Sequence, residues 1–412
     1  MDEDTRQLLF DDIVPLPFRI LFVVQIGVWL WYILNRAMTS SWHINVAALL
    51  NLSYTTNSYG QPDRSSSAGE FASAVIPAFN ENVSLQRGIA NNSVAITIFN
   101  VLAWIAFKVG EIMVPGRHLG VIPALAFAYT MYRLFFGPNP SSPAHKHHFG
   151  QARAHTTIKR VLRGGINSVT MRSNDILISD SLISYAKVLN DVGLYVWGYY
   201  IPTDTRYPAG LESAIIAYPT FIRIRQCWFE YRLTGRPSHL ANLVKYASGL
   251  VPLALNYAIK TTLTTNPDNT KWAWHLTKWW YAASAINSTY SLFWDFRMDW
   301  GLDMFDRVRY GHGSWLRPTT TYPSWMYAIG CVIDTLLRFV WVLRAFAIDN
   351  APTTLSQMSR FLFGYDAYSA GYFVIELLEI GRRWMWCFFK LENDWVKLST
   401  EDSLEMGDIK AS

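Results

Sequence analysis

Charge is what this chain has least of. Only 16% of its 412 residues are Asp, Glu, Lys or Arg, against about 25% in an ordinary soluble domain, which argues against a surface wholly in water. Cysteine is scarce as well. Cys227, Cys331 and Cys387 stand alone in apolar stretches, which excludes a disulfide framework and a cysteine-based zinc site. The net charge of +5 is modest and no nucleic-acid motif accompanies it, so nucleic acid is not an expected partner. His145, His147 and His148 have no thiol or carboxylate at ligand spacing and read as an exposed loop, not a metal site. The reading is of a non-enzyme with neither cofactor nor metal.

What is present is apolar and aromatic. Hydrophobic residues make up 51% of the chain, with 18 Trp, 22 Tyr and 23 Phe, and Trp and Tyr collect at the two interfaces of a bilayer. A spanning helix needs about 20 predominantly apolar residues, and the chain offers about nine such windows. They run approximately Pro17–Leu34, Val94–Val114, Leu119–Phe136, Ile176–Ile201, Ser213–Phe229, Leu243–Leu263, Trp274–Trp294, Trp325–Ala345 and Tyr372–Phe389. The predicted fold class is therefore an all-α polytopic membrane protein. The first window follows Asp2, Glu3, Asp4, Asp11 and Asp12 and lacks the basic flank and small-residue cleavage site of a signal peptide, so it is expected to stay as a helix.

Basic residues orient the windows. Residues 137–175 carry Lys146, Arg153, Lys159, Arg160, Arg163 and Arg172, and positive loops stay in the cytosol. Counting from that loop gives an acidic luminal N-terminus over 1–16 and, over 17–136, N-terminal helices expected to be a flanking scaffold, with a polar loop at 40–93. A helical domain over 176–395 and a cytosolic tail over 396–412 follow. The polar loop would then be cytosolic, leaving the sequons at Asn51, Asn82 and Asn91 without glycan, and Ser399–Ser412 reads as too short to fold.

Charges inside the C-terminal windows are the chemically informative feature, since a charge at membrane depth costs roughly 2.5–3.5 kcal/mol even on lenient scales. Asp295 and Asp299 stand at i and i+4, a spacing that places both carboxylates on one helical face and calls for a cation or proton between them. Asp334 and Arg338 repeat that spacing, with Trp341 one turn on, near enough for a cation–π contact. Glu379 can pair with Arg382 or Arg383, and two adjacent arginines exceed what one glutamate neutralises. Two readings stay open: intrahelical pairs that lock a bundle, or surplus positive charge that an oxyanion completes.

Five segments in order carry a resemblance: Pro219–Arg232 (PTFIRIRQCWFEYR), His239–Tyr246 (HLANLVKY), Trp294–Leu302 (WDFRMDWGL), Leu337–Trp341 (LRFVW) and Arg382–Asn393 (RRWMWCFFKLEN). Together they resemble the EXS domain of eukaryotic phosphate exporters. Pro15–Leu21, Trp29–Trp31 and Ile44–Asn45 further resemble the short yeast members linked to retention of luminal ER proteins and to Golgi glycosylation. The resemblance implies a C-terminal six-helix EXS bundle around inorganic phosphate. The positions matching its ligand motifs are Asp180, Arg223, Lys245, Tyr246, Asp295, Asp299, Arg338, Trp341, Arg382 and Arg383. Where the exporters show Asp-Gln-Leu-Asn, this sequence has Asp180-Ser-Leu-Ile183, one polar ligand fewer. The soluble SPX domain of the exporters is missing, so gating through it is not carried over.

The function so implied is Golgi export of luminal phosphate to the cytosol, cycling through the endoplasmic reticulum included. The expected partners are phosphate and membrane lipids, with a homodimer compatible. The alternative is a non-transporting adaptor that recycles Golgi glycosyltransferases, with those enzymes or their sorting adaptors as partners.

Overall fold

The computed structural model describes residues 10–50, 68–114, 119–136, 155–167, 171–201, 205–304, 309–311, 314–347, 354–363 and 369–411. Every regular element among them is a helix. The long ones are α1 (Leu16–Ser41), α2 (Ala68–Met113), α3 (Val121–Phe135), α4 (Arg172–Ser184) and α5 (Ala186–Tyr200). They are followed by α6 (Ala209–Thr234), α7 (Pro237–Thr265), α8 (Thr270–Trp294), α9 (Ser324–Arg338), α10 (Thr354–Phe363) and α11 (Ala370–Ala411). Prolines and glycines punctuate them. Pro17 and Pro237 occupy first-turn positions of α1 and α7, where a missing N–H costs nothing. Between α6 and α7, Gly235 takes φ 66° and donates its N–H to the Tyr231 carbonyl at 2.8 Å, closing α6 in the left-handed conformation that glycine tolerates.

Each apolar window falls on helix, but two are divided. The window at 176–201 breaks at Tyr185 into α4 and α5. The window at 325–345 breaks after Arg338 into α9 and a 3-10 segment, Val340–Ala347, with a bend of 41°. Among the described residues, by length and composition alone two helices can cross a bilayer, α1 and the Gln86–Met113 part of α2, and the bent pair adds a third if it is one span.

Several of the remaining helices turn charged residues inward. On α6, Arg223, Gln226 and Glu230 are buried while Phe221 is 55% and Leu233 60% exposed. The same inversion runs through α7, with Lys245 buried and Val251 outside, and through α9, with Asp334 buried and Trp325, Ile329 and Leu336 outside. Polar groups within and large apolar groups without suit a lipid-facing surface, where intramembrane charges turn to the bundle interior.

Three expectations need correction. The polar loop at 40–93 is interrupted by helix: Val46–Leu49 forms one turn and α2 begins at Ala68, where Phe71, Val75 and Phe79 already repeat at helical spacing. The C-terminal segment continues α11 to Ala411, giving 42 residues, or about 63 Å at 1.5 Å per residue, so the helix outruns a hydrocarbon core of about 30 Å. Third, α1 is no flanking scaffold. Its Leu34 and Met38 share a core with Trp300, Trp386 and Phe389, and the Trp384 indole donates to the Leu30 carbonyl at 2.6 Å. Residues 137–154, with the His145, His147 and His148 cluster, and Asn51 lie outside the described residues.

Candidate buried anion site

Six helices converge on two adjoining clusters of buried charge. The first joins α4, α6 and α7. Asp180 Oδ1 accepts the Tyr246 hydroxyl at 2.7 Å and lies 2.8 Å from Arg223 Nε, which also donates to the Tyr246 oxygen at 3.1 Å. Arg223 then reaches Gln226 Oε1 at 2.7 Å, and Gln226 donates to the Gly165 carbonyl at 2.9 Å. All three charged or phenolic groups are under 9% exposed, so the hydrogen bonds compensate for solvation that water no longer supplies. Beside them the Lys245 ammonium lies 4.5 Å from the Tyr246 ring centre and 5.1 Å from that of Trp294.

The second cluster joins α8, α9 and α11. Arg338 pairs with Asp295 and, at 3.4 Å, with Asp334. Arg382 reaches Asp334 at 3.1 Å and Glu379 at 2.7 Å, with Asp295 at 3.8 Å. Glu379 accepts the Ser184 hydroxyl at 2.8 Å, and Arg383 donates to that same Ser184 oxygen at 3.2 Å while its guanidinium packs 4.6 Å from the Trp386 ring. Ser184 thus ties α4 to α11 and joins the two clusters, and Asp180 feels the charge of both Lys245 and Arg383.

Of the ten residues singled out from sequence, eight fall in this connected region: Asp180, Arg223, Lys245, Tyr246, Asp295, Arg338, Arg382 and Arg383. Asp299 sits at its edge. The expected sharing of one cation by Asp295 and Asp299 does not occur: the Asp295–Asp299 turn is π-helical, and the two carboxylates go to different partners. Asp295 turns to the arginines, whereas Asp299 lies 3.8 Å from Lys390, itself bound to Asp394 at 2.9 Å. Asn393 fixes the turn by donating to the Asp299 carbonyl at 2.8 Å.

Trp341 also departs from expectation. Carried by the 3-10 segment, it packs edge-on to Trp280 and tilted against Tyr281 and donates its indole N–H to Ser288 Oγ at 2.9 Å; Ser288 in turn donates to the Arg338 carbonyl. It supports the backbone of Arg338, not its charge.

The expected surplus of positive charge on α11 is partly met from other helices, since Asp334 and Asp295 reach Arg382. What stays unmatched is more specific. Among the described residues, Arg383 and Lys245 have no carboxylate at ion-pair distance and are held instead by a hydroxyl and aromatic rings. A small cavity between α1, α4 and α11 borders Arg383 together with Gly27, Ser181 and Tyr185. Sequence reasoning missed Ser184, Gln226 and Ser288 as members of the network. Ser184 four residues after Asp180 and Gln226 three after Arg223 were available as signals, since residues at those spacings share a helical face.

The profile of the EXS family matches residues 14–396, taking in the helices before residue 176 as well. The chain is 26% identical over 314 residues to "Protein ERD1 homolog 1" of Schizosaccharomyces pombe, covering 73% of this chain and 75% of that protein. To "Protein ERD1" of Saccharomyces cerevisiae it is 30% identical over 226 residues, covering 55% and 56%. It is also 27% identical over 299 residues to human "Solute carrier family 53 member 1", covering 67% of this chain and 40% of that longer protein. A match across most of the chain, with the converging charges lying inside it, establishes that this protein belongs to the EXS family.

Proposed function

We propose that this protein is a multi-pass transporter of inorganic phosphate in a Golgi membrane, with the nine apolar windows as its membrane passages, and that it returns luminal phosphate to the cytosol. The observation that carries the reading is a pair of cations, buried Lys245 and half-buried Arg383, that border a cluster of ion pairs and have no carboxylate at ion-pair distance among the described residues. Phosphate near neutral pH carries between one and two negative charges; an arginine offers its oxygens a planar fork and a lysine a point charge. The solute-carrier name of a relative and the phosphate ligand set implied by the family resemblance support the choice of anion. Glycosyl transfer leaves nucleoside diphosphates whose hydrolysis releases phosphate in the lumen, so its removal would sustain glycosylation and the retention of Golgi enzymes and luminal ER proteins.

The test is radiolabelled phosphate flux in proteoliposomes containing the purified protein. Saturable flux above that of protein-free vesicles, lost in Arg383→Gln, is expected; no protein-dependent flux overturns the reading. A second reading has one observation in its favour. The C-terminal end of α11 extends beyond the length a bilayer requires, as an adaptor that displays a cytosolic helix to Golgi glycosyltransferases would need.

A further inference from the structure

A separate group of buried charges lies on α1, α5 and α11. Arg19, Asp191 and Glu376 are 0%, 1% and 2% exposed, and Lys187 is half-buried beside them. One direct ion pair forms, Arg19 to Asp191 Oδ2 at 2.7 Å. The Lys187 ammonium sits 4.9 Å from the Tyr372 ring centre, with the Arg19 guanidinium 5.9 Å from the same ring. Glu376 is attracted by Arg19 and Lys187 and repelled by Asp191. The walls are otherwise apolar, formed by Leu16, Ile20, Val23, Val188 and Ile380.

Two carboxylate oxygens in this group have no hydrogen-bond donor: Asp191 Oδ1 and Glu376 Oε1 are fully buried and unpartnered. A buried carboxylate needs donors on its oxygens to remain charged, and two that repel each other resist joint ionisation. Adding one proton removes the repulsion and leaves the group that binds it neutral, so that its burial no longer isolates a charge. Arg19 Nε and Nη1 are unpartnered as well, so these donors reach neither orphaned oxygen, and arginine does not release a proton. Other charged groups nearby are already engaged. Glu379, one turn along α11, holds Arg382 and Ser184, and Glu212 of α6 pairs with Lys260 at 2.6 Å. Tyr207 donates to Asn190 at 3.0 Å, and the turn Phe10–Ile13, which brings Phe10 onto Phe373, carries Asp11 and Asp12.

We propose that Asp191 and Glu376 form a proton-binding site, with Glu376 carrying the proton, coupled to the phosphate site so that anion and proton cross together. This rests on the transport reading above. With both carboxylates ionised the group is neutral, two cations against two anions, and with Glu376 protonated it carries one positive charge. An oxyanion at Arg383 and Lys245 favours that charged state through the helices the two sites share: α11 bears Glu376 and Arg383, and α5 continues directly from α4, which bears Asp180 and Ser184. By reciprocity the proton favours the anion equally. In the step itself an O–H bond forms at Glu376 as a hydronium ion on the side where phosphate enters gives up its proton and becomes water. It breaks by return of that proton to water on the side where phosphate leaves, and no electrons are exchanged.

Two measurements on the full-length protein in liposomes test this. Infrared difference spectroscopy on the wild type should show the carbonyl stretch of a protonated carboxyl group, shifted in heavy water, strengthened by added inorganic phosphate and absent from Glu376→Gln. Under one-to-one coupling at zero membrane potential, a pH gradient of about one unit should drive roughly tenfold phosphate accumulation in the wild type, and Glu376→Gln should lose that dependence on the gradient. A wild type without such a band, or with a band indifferent to phosphate, overturns the proposal, and this result is obtained even if the variant fails to fold. Phosphate flux unaffected by the gradient overturns the coupling while leaving the transport reading intact. Absence of any flux sinks the transport reading and the coupling with it, and the infrared band still decides whether Glu376 binds a proton.

Discussion

Arg382 Nη1 lies 3.1 Å from Asp334 Oδ1, joining α11 to α9 across 48 residues of sequence, and the same aspartate pairs with Arg338 one turn along its own helix. Asp334 is fully buried. Its replacement by Asn leaves two arginines short of a partner, and breaking a buried pair costs roughly 3–5 kcal/mol. Asp334→Asn is expected to lower the unfolding midpoint of the detergent-solubilised protein strongly and to abolish flux with it. A variant of unchanged midpoint would show that this pair does not hold the bundle.

Arg383 should behave differently from its neighbour. Arg382 is committed to carboxylates on both sides, so Arg382→Gln is expected to destabilise much as Asp334→Asn does. Arg383→Gln gives up a hydrogen bond to Ser184 and a contact with Trp386, so its unfolding midpoint should move little. Losing a charge-assisted contact to the anion weakens binding by roughly 1.5–3 kcal/mol, tenfold or more. Phosphate titration followed by the shift in thermal midpoint separates the two variants, and equal behaviour of both would contradict the division between structural and anion-facing arginine.

How far the sequence disclosed this site depended on how local each relationship is. Pairings within one helix were legible: Asp334 with Arg338 and Glu379 with Arg382 follow from spacing, and both occur. Contacts between helices were not. No periodicity says that Asp334 serves Arg382 as well, or that Ser184 bridges Glu379 and Arg383, because these depend on how α4, α9 and α11 cross. The π turn at Asp295–Asp299 was hidden for another reason: the sequence carries the i, i+4 carboxylates of an ordinary helix, and only the surrounding packing on Asn393 and the arginines selects the wider turn. The helices themselves were legible as apolar windows, whereas the break at Tyr185 and the helical continuation of α11 past residue 399 leave no apolar signal.

Tyr246 bridges Asp180 and Arg223 through one hydroxyl, donating to the first and accepting from the second. Tyr246→Phe keeps the ring under Lys245 but removes both bonds, while the Asp180–Arg223 pair at 2.8 Å persists. Hydrogen bonds to charged groups contribute about 1.5–3 kcal/mol each, so an intermediate loss of stability is expected, smaller than for Asp180→Asn. Chemical denaturation of the two variants gives the order directly, and a Tyr246→Phe protein as stable as wild type would make the bridge incidental.

Gly27 lets α1 cross close over the break between α4 and α5. A Cβ at that position would stand 1.8 Å from the Tyr185 hydroxyl oxygen, so any side chain must displace the tyrosine, which lines the cavity beside Arg383. Overpacking of this kind costs about 1–3 kcal/mol. Gly27→Leu is expected to reduce both stability and flux, and Gly27→Leu combined with Tyr185→Ala should recover stability because the space is returned. Failure of the second change to restore the unfolding midpoint would place the effect elsewhere.

The transport and adaptor readings part company in cells. Deleting residues 399–412 removes the helical extension of α11 and leaves every residue of the buried clusters in place, whereas Arg383→Gln does the opposite. If phosphate removal from the lumen is the primary activity, complementation of a null strain should fail with Arg383→Gln and succeed with the deletion, scored by Golgi enzyme localisation and by secretion of a luminal ER reporter. The adaptor reading expects the reverse. Because Arg383 is held by a hydroxyl and a ring and not by a carboxylate, its replacement is the change least able to act through misfolding. Rescue by a well-expressed Arg383→Gln protein therefore counts directly against transport as the basis of the cellular role.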